Sequence, residues 1–174
     1  LVNNLFYNWQ WLPTVIAGGV KADIVGNVWK PGPQTEQKAG DPTGIHLVPA
    51  DADLPEKEAQ DWWHAVSGTP SLFLEGNAFG GAQQVLLNQR DVLCYYRTRG
   101  EDCRKQALDD SWFRQQPVLA GQHVVLPDTT DVAERKVLEQ AGLSQRINLS
   151  GKWVANRDPV DERYIKEYQA GSYI

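Results

Sequence analysis

The chain has no methionine, only two cysteines, and no apolar run long enough to cross a membrane as a helix. Each shortage excludes something. A membrane-spanning helix needs about 20 mostly apolar residues. With no Met anywhere, Leu1 is not expected to be a translation start. The opening LVNNLFYNWQWLPTV has no basic leader and no apolar stretch behind it, so it does not read as a signal peptide. Basic residues are scarce as well: 17 Lys and Arg against 22 Asp and Glu leave a net charge of −5. A phosphate backbone wants a basic face, so no nucleic-acid partner is expected. The histidines, His46, His64 and His123, are scattered without metal-binding spacing, and each reads as structural.

What remains is a globular composition, 41% hydrophobic and 22% charged, in 174 residues, enough for one domain with a core. Cys94 and Cys103 stand nine positions apart in LCYYRTRGEDCRK. No His or further Cys lies nearby to make a metal site. A disulfide here would close a short loop, stabilise by roughly 2–3 kcal/mol, and fit a secreted protein. Two free thiols are the other reading.

Three segments share one pattern: LVNNLFYNW (1–9), KADIVGNVWKPG (21–32) and PSLFLEGNAFGG (70–81). Each is a short apolar run, an Asn, then more apolar or aromatic residues. Asn4 and Asn27 are 23 positions apart, and Asn77 follows after 50. A period of this size marks a solenoid. An Asn at a bend tolerates a left-handed backbone. Stacked at about 4.8 Å, such amides would form a ladder. The expected fold class is therefore all-β, a right-handed parallel β-helix followed by a loop-rich tail with two short helices. The division expected is residues 1–120 for the coils with inserted loops and 121–174 for the helical tail. A β-sandwich binding module is the rival, and it predicts antiparallel pairing.

Between the repeats, KPGPQTEQKAGDPTG (30–44) reads as a loop, and residues 51–68 as a polar excursion with a possible short helix at 55–65. Trp62, Trp63 and His64 there would pin the loop to the body, or stack on sugar. Asp51 and Asp53 alternate as a cation pair would, although an acidic loop start is the simpler view. Residues 123–144 carry a helix capped by Thr129 or Thr130, with Ala133, Val137, Leu138 and Ala141 on one face. In NRDPVDERYIKEYQAGS, Asp158 is the expected N-cap, Pro159 the first helical residue and Gly171 the stop. Val160, Tyr164, Ile165 and Tyr168 form its expected buried stripe. Arg157, Asp158, Asp161 and Arg163 fit capping and intrahelical ion pairs better than catalysis.

VNNLFYNWQW followed by VKADIVGNVWKPGP resembles secreted bacterial pectate lyases. SLFLEGNAFGG and AGLSQRINLSGKWVANRDPVDERYIKEYQAG resemble later segments of the same family. The resemblance implies part of an enzyme that cleaves polygalacturonate by calcium-assisted β-elimination. In such enzymes the calcium ligands and a catalytic arginine lie before the VNN motif. It therefore implies that calcium is bound upstream, that this chain holds no catalytic or metal residue, and that it is inactive alone. The implied partners are pectate oligosaccharide and the N-terminal coils of the same protein. The implied location is extracellular or periplasmic. Tyr7, Trp9, Trp11 and Lys30 are the candidate substrate contacts, since aromatic faces and a cation suit acidic sugars. A non-catalytic carbohydrate-binding or structural β-helix is the alternative.

Overall fold

The computed structural model describes residues 1–10, 13–35, 43–48, 68–95, 108–119, 126–142 and 145–171. Its strands are short. In chain order they are β1 (Leu5–Tyr7), β2 (Val15–Ala17), β3 (Lys21–Val25), β4 (Val28–Lys30), β5 (Ile45–Val48), β6 (Ser71–Glu75), β7 (Ala78–Phe79) and β8 (Leu93–Tyr95). Two helices, α1 (Thr130–Gln140) and α2 (Pro159–Ala170), flank an antiparallel hairpin of β9 (Gln145–Ile147) and β10 (Trp153–Ala155).

The eight earlier strands pair in parallel, each with the strand three places along the chain: β1–β4–β7, β2–β5–β8 and β3–β6. The repeated segments seen in the sequence meet residue for residue. Leu5 faces Val28 and then Ala78; Phe6 faces Trp29 and then Phe79; Tyr7 faces Lys30. This parallel register removes the β-sandwich reading, which required antiparallel pairing.

The expected all-β right-handed parallel β-helix is corrected. The parallel strands are two to five residues long. They lie in separate sheets of two or three strands, and no sheet among the described residues closes on itself or continues as a solenoid. The helices are as much a part of the fold as the strands. Repetition along the chain fixes which strands are neighbours, but it does not fix how far a sheet extends. Here loop segments interrupt each strand after a few residues.

The amide ladder is present and has a polarity. The backbone N–H and side-chain amide of Asn4 both donate to Asn27 Oδ1, at 3.0 and 2.9 Å. Those of Asn27 donate to Asn77 Oδ1, at 3.1 and 3.0 Å. Those of Asn77 donate to Gln89 Oε1, at 2.8 and 3.0 Å. Gln89 ends the ladder, because its own amide turns back to Leu86 O and Asn77 O. The left-handed residue is not the ladder asparagine itself but the one before it: Asn3 (φ 58°), Gly26 (φ 65°) and Gly76 (φ 61°). Gly26 also has no room for a side chain. A Cβ there would stand 2.9 Å from both Asn3 Oδ1 and Asp128 O. The NN-then-GN-then-GN pattern is thus one backbone turn used three times.

Inward side chains of these strands, with Val92 from the 3-10 turn before β8, make the core. Ile24, Trp29, Ile45, Leu47, Leu72, Val92 and Leu93 are fully buried. Trp29 stacks against Phe6, with ring centroids 5.1 Å apart and planes 6° from parallel. A smaller cluster of Val28, Ala78 and Ala82 lies under Leu5.

α2 starts and stops as its sequence requires. Asp158 accepts a hydrogen bond from Val160 N at 2.8 Å, Pro159 opens the helix, and Gly171 closes it in the left-handed conformation. Its expected buried stripe is corrected. Val160 and Tyr164 are 52% and 54% exposed, and the buried residues are Glu167 and Tyr168. The last turn is the most deeply seated part of the helix, while Ile165 is half-buried and Asp161 lies against Gly142 at the end of α1. On α1 the expected face is also narrower: Ala133 is buried, Val137 and Leu138 are half-buried, and Ala141 is exposed. The Thr129 side chain makes no capping hydrogen bond at the start of α1. Thr130 instead donates to Ala82 O at 2.7 Å, tying the helix to the smaller cluster.

Candidate functional site

β1 and β4 place Tyr7 and Lys30 directly beside each other. Side chains alternate across a strand. Phe6 and Trp29 point into the core, so Tyr7 and Lys30 point away from it. The surface they meet is the last turn of α2.

The contacts there are specific. Tyr7 donates its hydroxyl to Glu167 O at 2.9 Å. Lys30 Nζ donates to Tyr168 O at 2.8 Å and lies 4.0 Å from the centre of the Tyr168 ring. Tyr7 meets Tyr168 edge-on, with centroids 5.0 Å apart. Tyr168 in turn donates its hydroxyl to the Glu134 carboxylate of α1. Glu167 is buried, with Arg163 Nε 3.7 Å from its carboxylate one helical turn earlier.

The chemistry of this cluster follows from helix ends. The last four carbonyls of an α-helix have no partner within the helix, and its C-terminus carries partial negative charge. Glu167 O and Tyr168 O are two of those carbonyls. Tyr7 supplies a donor to Glu167 O, and Lys30 adds a donor of matching charge to Tyr168 O, which also accepts from Gly171 N at 3.4 Å. Burial raises the Tyr168 phenol well above its ordinary range, and the hydrogen bond from its hydroxyl to Glu134 raises it further. Tyr7 is raised too, by burial first and then by the nearby Glu167 charge. Both phenols are therefore held protonated, as donors.

Trp9 is half-buried, packs against the core and meets Phe79 edge-on at 6.1 Å. Trp11 lies outside the described residues, as do Asp51, Asp53, Trp62, Trp63, His64, His123 and the short helix expected at 55–65. Of the four candidate substrate contacts, the structure thus brings Tyr7 and Lys30 together and places Trp9 two residues further along the same segment. Cys94 is buried in β8. Its expected partner, Cys103, lies outside the described residues.

The remaining charged motif reads as capping. Arg157 donates to the α1 carbonyls of Leu138, Glu139 and Ala141 at 2.8–3.2 Å. Asp158 caps α2, and Arg163 pairs with Glu167. His46 is buried with a ring nitrogen 3.2 Å from Thr43 Oγ1. Calcium takes six to eight oxygen ligands. No group of three or more His, Cys, Asp or Glu converges among the described residues, so they do not fit a calcium site.

Glu134 and Glu167 belong to this cluster and carried no signal in the sequence. A Glu on a helix ordinarily faces water. Only the spacing of Arg163 and Glu167, four residues apart, marked a pair worth noticing. No protein-family model, curated protein or solved structure matches this chain.

Proposed function

We propose that this chain is part of a secreted pectate lyase that cleaves polygalacturonate by β-elimination, with calcium and the catalytic groups held by residues outside it. In that reaction the C5 proton is removed, the bond from C4 to the glycosidic oxygen breaks, and a C4–C5 double bond forms. One observation carries the reading. The two motifs that resemble the family, VNNLFYNW and VGNVWKPGP, lie side by side in register and set an aromatic ring, Tyr7, next to a cation, Lys30. That pair suits the sugar face and carboxylate of a uronate.

The rest of the same protein is the proposed partner. Leu5 and Phe6 are only half-buried, whereas Val28 and Trp29 beneath them are fully buried. Asn4 Oδ1 accepts no hydrogen bond among the described residues, whereas Asn27 and Asn77 each accept two at the same atom. A strand laid parallel on β1 would complete both layers.

A second reading, a non-catalytic carbohydrate-binding or structural protein, is favoured by the ties of Tyr7 and Lys30 to α2. The test is incubation of the full-length source protein, and of residues 1–174, with polygalacturonate and calcium. The ultraviolet absorbance of the new double bond and the product masses are followed. Unsaturated products from the longer protein alone support the lyase. Binding without cleavage by either supports the second reading, and neither binding nor cleavage defeats both.

A further inference from the structure

We infer that α2 is a strap closed over an acidic-sugar subsite made by Tyr7 and Lys30, and that a uronate carboxylate opens it by replacing the Tyr168 carbonyl on Lys30. The inference rests on the polyuronate reading above and adds how that site is regulated.

The strap is most deeply seated at its last turn, while its first turn touches the end of α1 through Asp161, which lies against Gly142. Only Glu167 and Tyr168 of its 12 residues are buried. Val160 and Tyr164 in its first turns are more than half exposed. What holds the last turn is the Tyr7 hydroxyl on Glu167 O, the Lys30 ammonium on Tyr168 O and over its ring, and the Tyr168 hydroxyl on Glu134. An element with so little buried surface opens locally at low cost, without unfolding the core. At the other end the chain enters the helix through extended backbone at Asp158, and Arg157 before it is held to the α1 carbonyls, so opening at the last turn would leave that end in place.

The bonds that fasten it are also the ones an acidic sugar would take. A carboxylate brings a full negative charge to the Lys30 ammonium where the Tyr168 carbonyl brings only the partial charge of a helix end. Tyr7, freed from Tyr168, would offer its ring to a sugar face. While the strap is closed, the buried Glu167 carboxylate sits beside this position and repels a second carboxylate. Sugar and strap therefore exclude each other. Opening carries Glu167 away with the helix and leaves Glu134, on α1, as the one acid of the cluster still in place.

Hydrogen exchange on residues 1–174, read by mass spectrometry on peptides from α2, β3 and β6, tests this in two arms. In the first, Lys30→Gln and Tyr7→Phe are compared with the parent chain without sugar. Each should speed exchange in the last turn of α2 by about tenfold or more, the worth of one hydrogen bond to a charged or buried group. Amides of β3 and β6 should be unchanged. If Lys30→Gln also loosens β3 and β6, it has disturbed the fold and Tyr7→Phe decides. In the second, trigalacturonate is added to the parent chain, with neutral galactotriose as control. Faster exchange of α2 with the acidic sugar alone is expected. No change in either arm, or the same change with both sugars, overturns the inference. If trigalacturonate loosens α2 but the longer protein never cleaves polygalacturonate, the lyase reading fails and the strap stands.

Discussion

Truncating the middle rung of the amide ladder should cost far more than truncating its open end. Asn27 is fully buried, and its side chain makes five hydrogen bonds. Oδ1 accepts from Asn4 N and Nδ2. Nδ2 donates to Leu1 O, Val25 O and Asn77 Oδ1, at 3.0–3.2 Å. At about 1 kcal/mol net for each bond, Asn27→Ala would lose about 5 kcal/mol. Two corrections lower that figure. An amide has two hydrogens, so three acceptors must share them. The Asn4 donors left behind are only partly buried and can recover water. The expected loss is therefore about 3–4 kcal/mol, or roughly 10 °C in Tm for a chain of this size. Asn4→Ala removes only the side-chain bonds to Val2 O and Asn27 Oδ1, and Asn27 Oδ1 keeps the Asn4 backbone N–H. Its loss should be about 1–2 kcal/mol, since both bonds are only part-buried. Urea unfolding followed by tryptophan fluorescence and far-ultraviolet circular dichroism measures both, with the slope against urea unchanged if only stability differs. A difference below about 1 kcal/mol between the two variants would refute the ladder as a cooperative buried network. Asn27→Asp sharpens the test. It keeps the shape but, when ionised, turns oxygens toward three other oxygens, so it should cost more than alanine and recover part of the loss in acid.

Two further predictions concern groups fixed by their neighbours. Tyr7 and Tyr168 favour the protonated phenol when folded, so their contribution to stability is complete below the ordinary phenol value of 10.0 and drains away as the pH rises through their higher folded values. Ultraviolet titration should show late phenol ionisation that Tyr7→Phe and Tyr168→Phe each reduce, together with loss of structure; a titration left unchanged by both substitutions while circular dichroism stays native would contradict the cluster. The proposed Cys94–Cys103 disulfide should raise the intact mass by two hydrogens on reduction and lower stability by roughly 2–3 kcal/mol when lost. Alkylation of both cysteines in denaturant without reductant would rule it out.

The ladder was legible because each repeat brings its Asn to the same place by the same local turn. Asn4, Asn27 and Asn77 needed only their spacing to be found. Which residue of each pair takes the left-handed backbone was not legible from Asn3 and Asn4, since either can adopt it. The glycines decide it: Gly26 and Gly76 stand at the Asn3 position, so the turn belongs there and the amide rung belongs to the residue after. Gln89 could not be foreseen. It lies outside the repeat and reaches the ladder only because a 3-10 turn at Gln89–Val92, capped by Asn88, brings its longer amide to the end of the stack.

The misreading of α2 shows a different limit. Hydrophobic spacing says which residues share a helix face, and Val160, Tyr164 and Tyr168 do share one. It does not say how much of that face the body covers. Coverage here is set by β1 and β4, whose Tyr7 and Lys30 sit 160 and 138 residues before their partners in the last turn. The same distance hid the use of Tyr7 and Lys30. Their register beside each other follows from the repeat, but the repeat does not reveal that two carbonyls of a helix end already occupy their donors. If α2 docks through hydrogen bonds to its own unsatisfied carbonyls more than through apolar area, then a donor lost from β1 or β4 should loosen the helix while its apolar face stays intact. Removing Val160 or Tyr164, which face water, should leave the last turn as protected as before.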